Sequence, residues 1–339
     1  MQFQISTLPG NARFPANEDE TVLEAALAAG WLLPYGCRDG ACGSCKARIV
    51  QGRIEQGQIS ESALSDEERT AGYALLCRAR PRSDLVIEVR NSGRVGDFPV
   101  RKLPCRIQEL RRAADDVMIL TARLPAGEPF RFRAGQYIDI LLADGRRRSF
   151  SLANPPESTG QIELHIRLVP GGQFTRQVFE TLKVRDILRF EGPFGSFSLR
   201  EDEHRPAILL AGGTGFAPIK SIVEHAIATG AQRKLVLYWG ARTLGGLYMD
   251  SLAASWEGQL PGFRYVPVLS DPDASGAIRT GLVHKAVMAD HPDLSAHEVY
   301  ACGAPAMIDA ARRDLIGHCA LPAESFYADV FTFASDSSA

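Results

Sequence analysis

Three patterns of hydrophobic and polar positions follow one another along the chain. Up to about residue 92, short apolar segments alternate with turns, and Thr21 with Glu24 and Ser65 with Glu68 have the spacing of helix capping boxes. The helix that begins at Thr21 should end by Gly30. The strands expected around the two helices cover residues 2–6, 11–14, 46–50 and 84–89. A small mixed sheet with one or two helices is therefore predicted.

The second pattern consists of longer segments in which apolar and polar residues alternate, and it follows a predicted linker at residues 91–96. Predicted strands cover residues 117–123, 136–142, 148–152 and 162–168, with Gly and Pro turns between them and a helix near 173–182. Alternation with period two is typical of antiparallel strands that bury one face. This part of the chain is predicted to form a six-stranded antiparallel β-barrel.

The third pattern begins near residue 205, where short and continuous apolar runs alternate with helical segments. The runs cover residues 207–211, 234–239, 263–268 and 298–301, and the helices cover 217–228, 282–290 and 305–316. This alternation is typical of an α/β doubly wound parallel sheet. The predicted chain is multidomain, with domains at residues 1–92, 100–202 and 203–339.

Composition adds few constraints to this picture. The 339 residues are 45% hydrophobic and 23% charged, and the formal net charge of −2 gives no reason to expect nucleic-acid or membrane binding. We expect neither a secretory signal nor a membrane-spanning helix, because no apolar run has the necessary length and flanks. Seven cysteines make a disulfide framework improbable, and a reducing cytoplasm is the expected location.

The cysteines near residue 40 have a diagnostic spacing. Four residues separate the first two cysteines, two separate the next pair, and a fourth follows much later; they are Cys37, Cys42, Cys45 and Cys77. This is the plant-type spacing for a [2Fe–2S] cluster, whose irons take only thiolates. Gly40 and Gly43 provide the backbone freedom that a loop wrapped around such a cluster requires.

Two alternative readings of these cysteines are less well supported. Structural zinc sites usually combine two short Cys-x-x-Cys pairs, whereas this chain has one such pair and two single cysteines. A thioredoxin-like pair at Cys42 and Cys45 would need a strand–helix context that the pattern does not predict. The spacing therefore favours the [2Fe–2S] cluster.

Two glycine-rich turns each open a predicted helix, where free backbone amides and the positive end of the helix dipole can bind an anion. The first has Gly171 and Gly172. The second covers residues 212–218 after an apolar strand, with Pro218 in the first helical turn, where no backbone donor is needed. A nucleotide pyrophosphate is the predicted ligand of the second turn. The next strand is followed by Arg242 rather than by an acid that could bind a ribose hydroxyl, so the kind of nucleotide stays open.

Residues 148–151 read Arg-Ser-Phe-Ser on a predicted barrel strand. With this segment and the turn at residues 212–218, the barrel and sheet parts resemble the ferredoxin–NADP reductase superfamily, and the first part, with its cysteine spacing, resembles a plant-type ferredoxin of the β-grasp kind. The flavin motif of the superfamily, Arg-x-[Tyr/Phe]-Ser, matches residues 148–151. The resemblance implies that Arg148 meets a flavin phosphate, that Phe150 packs on the isoalloxazine, and that Ser151 lies near the hydride-accepting nitrogen. The flavin contacts that it implies are Arg148, Phe150, Ser151, His165, Arg167, Gly171, Gly172, Gln173, Thr175 and Phe331.

The nucleotide motifs of the same superfamily, Gly-Gly-Thr-Gly-x-x-Pro and Cys-Gly-x-Pro-x-Met, also match this sequence. The nucleotide contacts that the resemblance implies are Gly212, Gly213, Thr214, Gly215, Pro218, Arg242, Cys302, Gly303 and Met307. Cys302 would lie where nicotinamide meets flavin, so Ser151 and Cys302 are the candidate catalytic residues.

The order of the three parts resembles reductase components of bacterial oxygenases and, more closely, CDP-6-deoxy-glucoseen reductases. The segments that carry this likeness are residues 34–40, 165–167 and 300–303. The resemblance implies electron transfer from NADH, with NADPH possible, through FAD and the [2Fe–2S] cluster to a partner protein. That partner would be a pyridoxamine-phosphate-dependent dehydrase or an oxygenase component. A non-enzymatic [2Fe–2S] redox sensor is the alternative from another class.

Overall fold

The computed structural model describes residues 1–10, 12–61, 63–89, 93–94, 98–200, 204–271, 276 and 278–331. These residues form two compact units, one of residues 1–99 with 194–197 and the other of residues 100–193 with 198–339. The second unit contains both the barrel and the parallel sheet, so the predicted domain boundary at residues 202 and 203 stays a prediction.

The first unit is built on a five-stranded mixed sheet with two short helices. Its strands are β1 (Gln2–Leu8), β2 (Arg13–Asn17), β3 (Trp31–Leu32), β4 (Lys46–Gln51), β5 (Ile54–Gln56), β6 (Tyr73–Leu75), β7 (Ala79–Pro81), β8 (Leu85–Glu88) and β9 (Gly93–Arg94). Its helices are α1 (Val22–Ala28) and α2 (Asp66–Thr70). The sheet order is β2-β1-β8-β4-β6, with β1 and β8 parallel. The predicted strand at residues 11–14 is observed from Arg13, and Asn11 and most of the predicted linker lie outside the described residues.

Both predicted capping boxes are present in this unit. The Thr21 hydroxyl accepts a hydrogen bond from the Glu24 amide at 3.2 Å, and the Glu24 carboxylate accepts one from the Thr21 amide at 3.0 Å. Ser65 and Glu68 repeat the arrangement at the start of α2. Each box satisfies two amides that a helix start would otherwise leave without partners. The caps therefore determine where the two helices flanking the cysteine segments begin.

A six-stranded antiparallel barrel forms the first part of the second unit. Its strands are β10 (Arg101–Ala114), β11 (Val117–Arg123), β12 (Tyr137–Leu141), β13 (Arg147–Ser151), β14 (Gln161–Arg167) and β15 (Ile187–Phe194), and its helix is α3 (Gln173–Glu180). The order is β13-β12-β15-β10-β11-β14, and a bridge between Leu152 and Leu164 joins the two edges. The apolar faces of the strands, with Phe174 and Val178 of α3, form one continuous core.

A six-stranded parallel sheet completes the second unit. Its strands are β16 (Ala207–Gly212), β17 (Leu235–Ala241), β18 (Phe263–Leu269), β19 (Arg279–Thr280), β20 (Glu298–Gly303) and β21 (Phe326–Val330). Its helices are α4 (Phe216–Ala228), α5 (Asp250–Ser255), α6 (Val283–Asp290) and α7 (Pro305–His318). The order β19-β18-β17-β16-β20-β21 reverses direction between β16 and β20. Ligands of such sheets bind at the carboxyl ends of the strands beside this reversal, which is where the segments after Gly212 and Gly303 lie.

Candidate functional site

The four predicted cluster cysteines come together in two pairs. The Cys45 thiol donates to the Cys77 sulfur at 3.2 Å, and the Cys37 backbone amide donates to the Cys42 sulfur at 3.3 Å. A hydrogen bond from the Cys37 thiol lowers the pKa of Cys42 to about 6, and one from Cys45 lowers the pKa of Cys77. Two pairs of thiols suit a two-iron cluster, in which each iron takes two protein ligands.

Glycine conformation closes the loop that contains these cysteines. Gly40 and Gly43 have φ of +86° and +73°, a region that side chains rarely adopt. A Cβ at Gly40 would lie 3.0 Å from the Gln58 carbonyl oxygen, and one at Gly43 would lie 3.0 Å from that of Ala63. The loop can approach residues 58–63 this closely only because both positions lack a side chain.

Part of the predicted flavin site lies at or beside the N-terminus of α3, namely Phe150 and residues 171–175. Alternation along β13 places Arg148 and Phe150 on one face, where the Phe150 and Phe174 rings are 5.6 Å apart. Arg146, next to this strand, hydrogen-bonds Gln173. Arg148 lies between Arg146 and Phe150 in the sequence, and its Nη1 donates to the Arg147 carbonyl at 2.8 Å. Gly172 caps α3 without a side-chain hydrogen bond, so amides and a cation meet there, as an anionic diphosphate requires.

The turn before α3 is stabilised by Thr175. Its hydroxyl accepts from the Val169 amide and donates to the Gly172 carbonyl, both at 3.2 Å. Gly171 has φ of +76°, which allows the tight turn. The hydroxyl of Thr175 is thus engaged with the backbone, and the groups that this turn offers to a ligand are its amides.

Neighbouring side chains on the opposite face of β13 have a different environment. Ser149 donates to the buried Asp139 at 2.7 Å, and Arg147 forms ion pairs with Asp139 and Glu191. Arg147 is therefore paired with carboxylates, whereas Arg148 lies on the face of β13 that carries Phe150. Ser151, at the end of the same strand, is buried.

A cavity of about 970 Å³ opens at the carboxyl ends of β16, β17 and β18, within the usual volume range of cofactor sites. Of the predicted residues, Arg167, Gly213, Arg242 and Met307 line it. A Cβ at Gly213 would lie 2.7 Å from Arg167 Nη1, so the guanidinium rests directly on the glycine-rich turn. The structure thus places Arg167 at this turn, and its Nε lies 3.1 Å from Asp116 Oδ2.

The glycine-rich turn has room for backbone only. A Cβ at Gly212 would lie 2.5 Å from Met307 Sδ, and one at Gly215 would collide with the Cys302 carbonyl oxygen. The turn and the segment after β20 are consequently in close contact. A turn of bare amides beside a cavity is the arrangement that a pyrophosphate needs.

Cys302 is fully buried where these two segments meet. Burial raises the pKa of its thiol well above the usual range, and Asp329 Oδ2 lies 4.0 Å from its sulfur. The group at this position is therefore a neutral thiol. Phe331 is half-buried, and its amide donates to the Gly303 carbonyl at 2.8 Å.

Two aromatic residues beside the glycine-rich turn were not among the predicted site residues. Phe216 stacks on Trp239 with ring centroids 3.8 Å apart, and Trp239 Nε1 donates to the Gly213 carbonyl at 3.0 Å. Trp239 ends a predicted strand, so its place beside the turn could have been inferred from the parallel sheet.

Both ring nitrogens of His165 have protein partners, Glu163 and Tyr248, so this histidine could bind a cofactor only by giving up one of them.

Arg242 is also paired. Its guanidinium lies 3.3 Å from Asp271 Oδ2 at the exposed mouth of the cavity. An aspartate beside the arginine reduces the positive charge that a 2′-phosphate would meet.

None of the helices in the described ranges has the length and apolarity needed to cross a membrane.

Models of three protein families match successive parts of the chain. They are the 2Fe-2S iron-sulfur cluster binding domain at residues 6–82, the oxidoreductase FAD-binding domain at 104–199 and the oxidoreductase NAD-binding domain at 209–313. The predicted multidomain fold and the predicted cofactors, a [2Fe–2S] cluster, FAD and a nicotinamide nucleotide, are confirmed.

Relatives match over nearly the whole chain. CDP-6-deoxy-L-threo-D-glycero-4-hexulose-3-dehydrase reductase of Yersinia pseudotuberculosis is 40% identical over 98% of this chain and 99% of its own. Terephthalate 1,2-dioxygenase reductase component 1 of Comamonas sp is 38% identical over 98% of each chain. The crystal structure of the Amycolatopsis cytochrome P450 reductase GcoB aligns with a TM-score of 0.80 and 36% identity, covering 98% of this chain and all of its own. The chain therefore belongs to the family of iron–sulfur flavoprotein reductases, NAD(P)H-dependent oxidoreductases that pass electrons through FAD and a [2Fe–2S] cluster to a partner.

Proposed function

We propose that this protein supplies electrons from NADH to a pyridoxamine-phosphate-dependent dehydrase of deoxysugar synthesis in the cytoplasm. The observation that carries the proposal is the 40% identity, over nearly the full length, to a relative named as the reductase of a hexulose dehydrase. An oxygenase component is the second candidate partner, because a terephthalate dioxygenase reductase component is 38% identical over the same extent.

Some residues of this protein would hold the cofactors, and others would border the position of hydride transfer. When bound, the flavin accepts hydride and the cluster carries single electrons. The four cysteines would hold the cluster, and Arg148 with the amides before α3 would hold the FAD diphosphate. The bare turn at residues 212–215 would hold the nucleotide pyrophosphate. Ser151 and the neutral thiol of Cys302 would border the hydride-transfer position, where a small uncharged side chain leaves room and excludes water.

The choice of partner is tested by reconstitution. The purified reductase is mixed with NADH and either a pyridoxamine-phosphate-dependent dehydrase with its hexulose substrate or a terephthalate-type oxygenase component with its aromatic substrate. We expect product formation with the dehydrase to be roughly tenfold faster or more, a difference of about 1.4 kcal/mol in activation free energy. Faster turnover with the oxygenase component would assign the protein to the second candidate, and no turnover with either would reject both.

The assignment of the flavin phosphate site predicts the effect of Arg148→Ala. We expect FAD affinity to fall by about 1.5–3 kcal/mol, the contribution of a hydrogen bond to a charged group. Titration of flavin-free protein with FAD, followed by flavin fluorescence, measures the change. Arg147→Ala is the matched control, because Arg147 lies on the opposite face of β13 with Asp139 and Glu191. Equal losses in the two variants would place the phosphate elsewhere.

The Arg242–Asp271 pair predicts a preference for NADH over NADPH. The Asp271 carboxylate offsets the charge of Arg242 and repels a 2′-phosphate, so Asp271→Asn should raise kcat/KM for NADPH several-fold and leave that for NADH nearly unchanged. Steady-state rates with ferricyanide measure both constants. A roughly tenfold preference of the unmodified protein for NADPH, or about 1.4 kcal/mol, would reverse this assignment.

A further inference from the structure

A series of hydrogen-bonded polar side chains, of which His165 and Lys220 are buried, links the barrel to the start of the nucleotide-binding sheet within the second unit. Tyr248 Oη lies 2.8 Å from His165 Nδ1, and His165 Nε2 lies 3.0 Å from Glu163 Oε1. Lys220 Nζ lies 3.1 Å from the same Glu163 oxygen. The side chain of His165 is fully buried and that of Lys220 is 6% exposed. In the site described above, Glu163 and Tyr248 appeared only as the partners of His165, and Lys220 had no part.

The surroundings of Glu163, His165 and Tyr248 determine which atom donates and which accepts in each of their hydrogen bonds. Burial alone would favour the neutral acid, but the hydrogen bond with His165 and the charge of Lys220 lower the pKa of Glu163 to about 2. Burial lowers the pKa of His165, so the ring is neutral near pH 7. An ionised Glu163 can only accept, so His165 carries its proton on Nε2. Nδ1 is then the acceptor for the Tyr248 hydroxyl.

The ring of Tyr248 lies beside the glycine-rich turn at residues 212–215. Its ring meets the Trp239 ring edge-on at 5.3 Å and the Phe216 ring edge-on at 6.1 Å. Phe216 immediately follows the turn, and Trp239 is hydrogen-bonded to the Gly213 carbonyl within it. The other end of the polar chain, Lys220, lies one helical turn further along α4. Tyr248 is half-buried, and its hydroxyl lies close enough to Arg167 and Asp116, which line the cavity, and to Cys302 for these groups to act on its pKa. Tyr248 therefore lies between the cavity and the thiol that is proposed to border the hydride-transfer position.

We propose that Tyr248 is a positioning residue that forms an aromatic wall for the nicotinamide end of the dinucleotide, and that His165, Glu163 and Lys220 hold its ring in place. The inference rests on the nucleotide site proposed above. The hydroxyl is the only polar atom of the ring, so its bond to His165 determines the orientation in which the ring meets the ligand. Because the ring of Tyr248 is already ordered before the nucleotide binds, binding does not include the loss of conformational entropy of this side chain.

The test separates the two ends of the nucleotide. Binding of NAD⁺ and of ADP-ribose, which lacks nicotinamide, is measured by calorimetry on the oxidised, FAD-loaded protein. Tyr248→Phe keeps the ring and removes its hydrogen bond, so we expect the Kd of NAD⁺ to rise about 2- to 10-fold while that of ADP-ribose changes little. Tyr248→Ala should raise the Kd of NAD⁺ further. Flavin content and melting temperature identify any variant that has failed to fold.

Two further variants test whether His165 acts through Tyr248. His165→Leu should weaken NAD⁺ as Tyr248→Phe does, and the double variant should be no weaker than either single one, because both remove one shared interaction. His165→Asn, whose Oδ1 can replace Nδ1 as the acceptor, should restore most of the affinity. Tyr265→Phe is the matched control, since this tyrosine pairs with Asp250 at 2.8 Å, and it should affect neither probe.

The remaining outcomes have distinct meanings. Unchanged NAD⁺ affinity in Tyr248→Phe, equal losses for NAD⁺ and ADP-ribose, or additive effects in the double variant would each overturn the proposed role. If the unmodified protein bound neither probe, the nucleotide site itself would be wrong.

Discussion

Replacing Cys77 with serine should abolish NADH-dependent reduction of cytochrome c and leave reduction of ferricyanide largely intact. Cys77 is paired with Cys45, and a serine hydroxyl is a far poorer ligand for iron than a thiolate, so the variant should lose iron and labile sulfide. Ferricyanide can take electrons from the flavin, whereas cytochrome c and the natural partner are expected to need the cluster. Metal and sulfide analysis with steady-state rates on both acceptors measures the effect.

The control for this variant is Cys319→Ser, which changes a buried cysteine outside the cluster loop. It should keep two irons and two labile sulfides per chain, the content of a [2Fe–2S] cluster, and both activities. Loss of both activities in an FAD-loaded Cys77→Ser protein would show that the cluster is more than the exit for electrons. Full cytochrome c activity without iron would show that electrons leave from the flavin.

Lys220→Met should lower the free energy of unfolding by about 3–5 kcal/mol, the usual cost of removing one partner from a buried ion pair. Lys220 Nζ bonds Glu163 at 3.1 Å, Glu224 at 2.8 Å and the Ala153 carbonyl at 3.2 Å, so its loss leaves two carboxylates facing each other in a poorly hydrated place. Urea unfolding followed by tryptophan fluorescence measures the change. The pKa of Glu163 should rise in this variant, because a lowering charge is removed.

Lys285→Met is the matched control. Lys285 Nζ lies 2.6 Å from Asp314 Oδ2, and its side chain is 53% exposed. The Asp314 side chain is 7% exposed, but it also pairs with Arg313 at 3.0 Å, so it keeps a cation when Lys285 is removed and the loss should be about 0–1 kcal/mol. Similar losses of unfolding free energy in the two lysine variants would contradict the importance given to burial.

In the unmodified protein, the pKa of Glu163 lies below its ordinary value of 4.5, so its contribution to stability is present above that pH and is lost as the pH falls toward 2.

The features that could be predicted well are those that depend on residues close together in the sequence. The capping boxes at Thr21 and Ser65, the glycine turns and the short apolar strands depend on residues close together in the chain, and the structure has them close to where they were expected. Strand β10 was not among the predicted strands, because Pro104 and its many outward-facing charged residues hide the alternation of Leu103, Cys105 and Ile107. Strand β15 was missed as well.

The sequence by itself determined the three-part order, the spacing of the four candidate cluster cysteines and the turns that offer amides to anions, because these features depend on residues close together along the backbone. Only the tertiary structure decided the neighbours of individual side chains. His165 and Tyr248 are 83 residues apart and meet only when the barrel and the parallel sheet fold into one unit. Arg242 likewise meets Asp271 because β17 and β18 are adjacent in the sheet. Such pairs follow from strand order and packing, so no local pattern of residues predicts them.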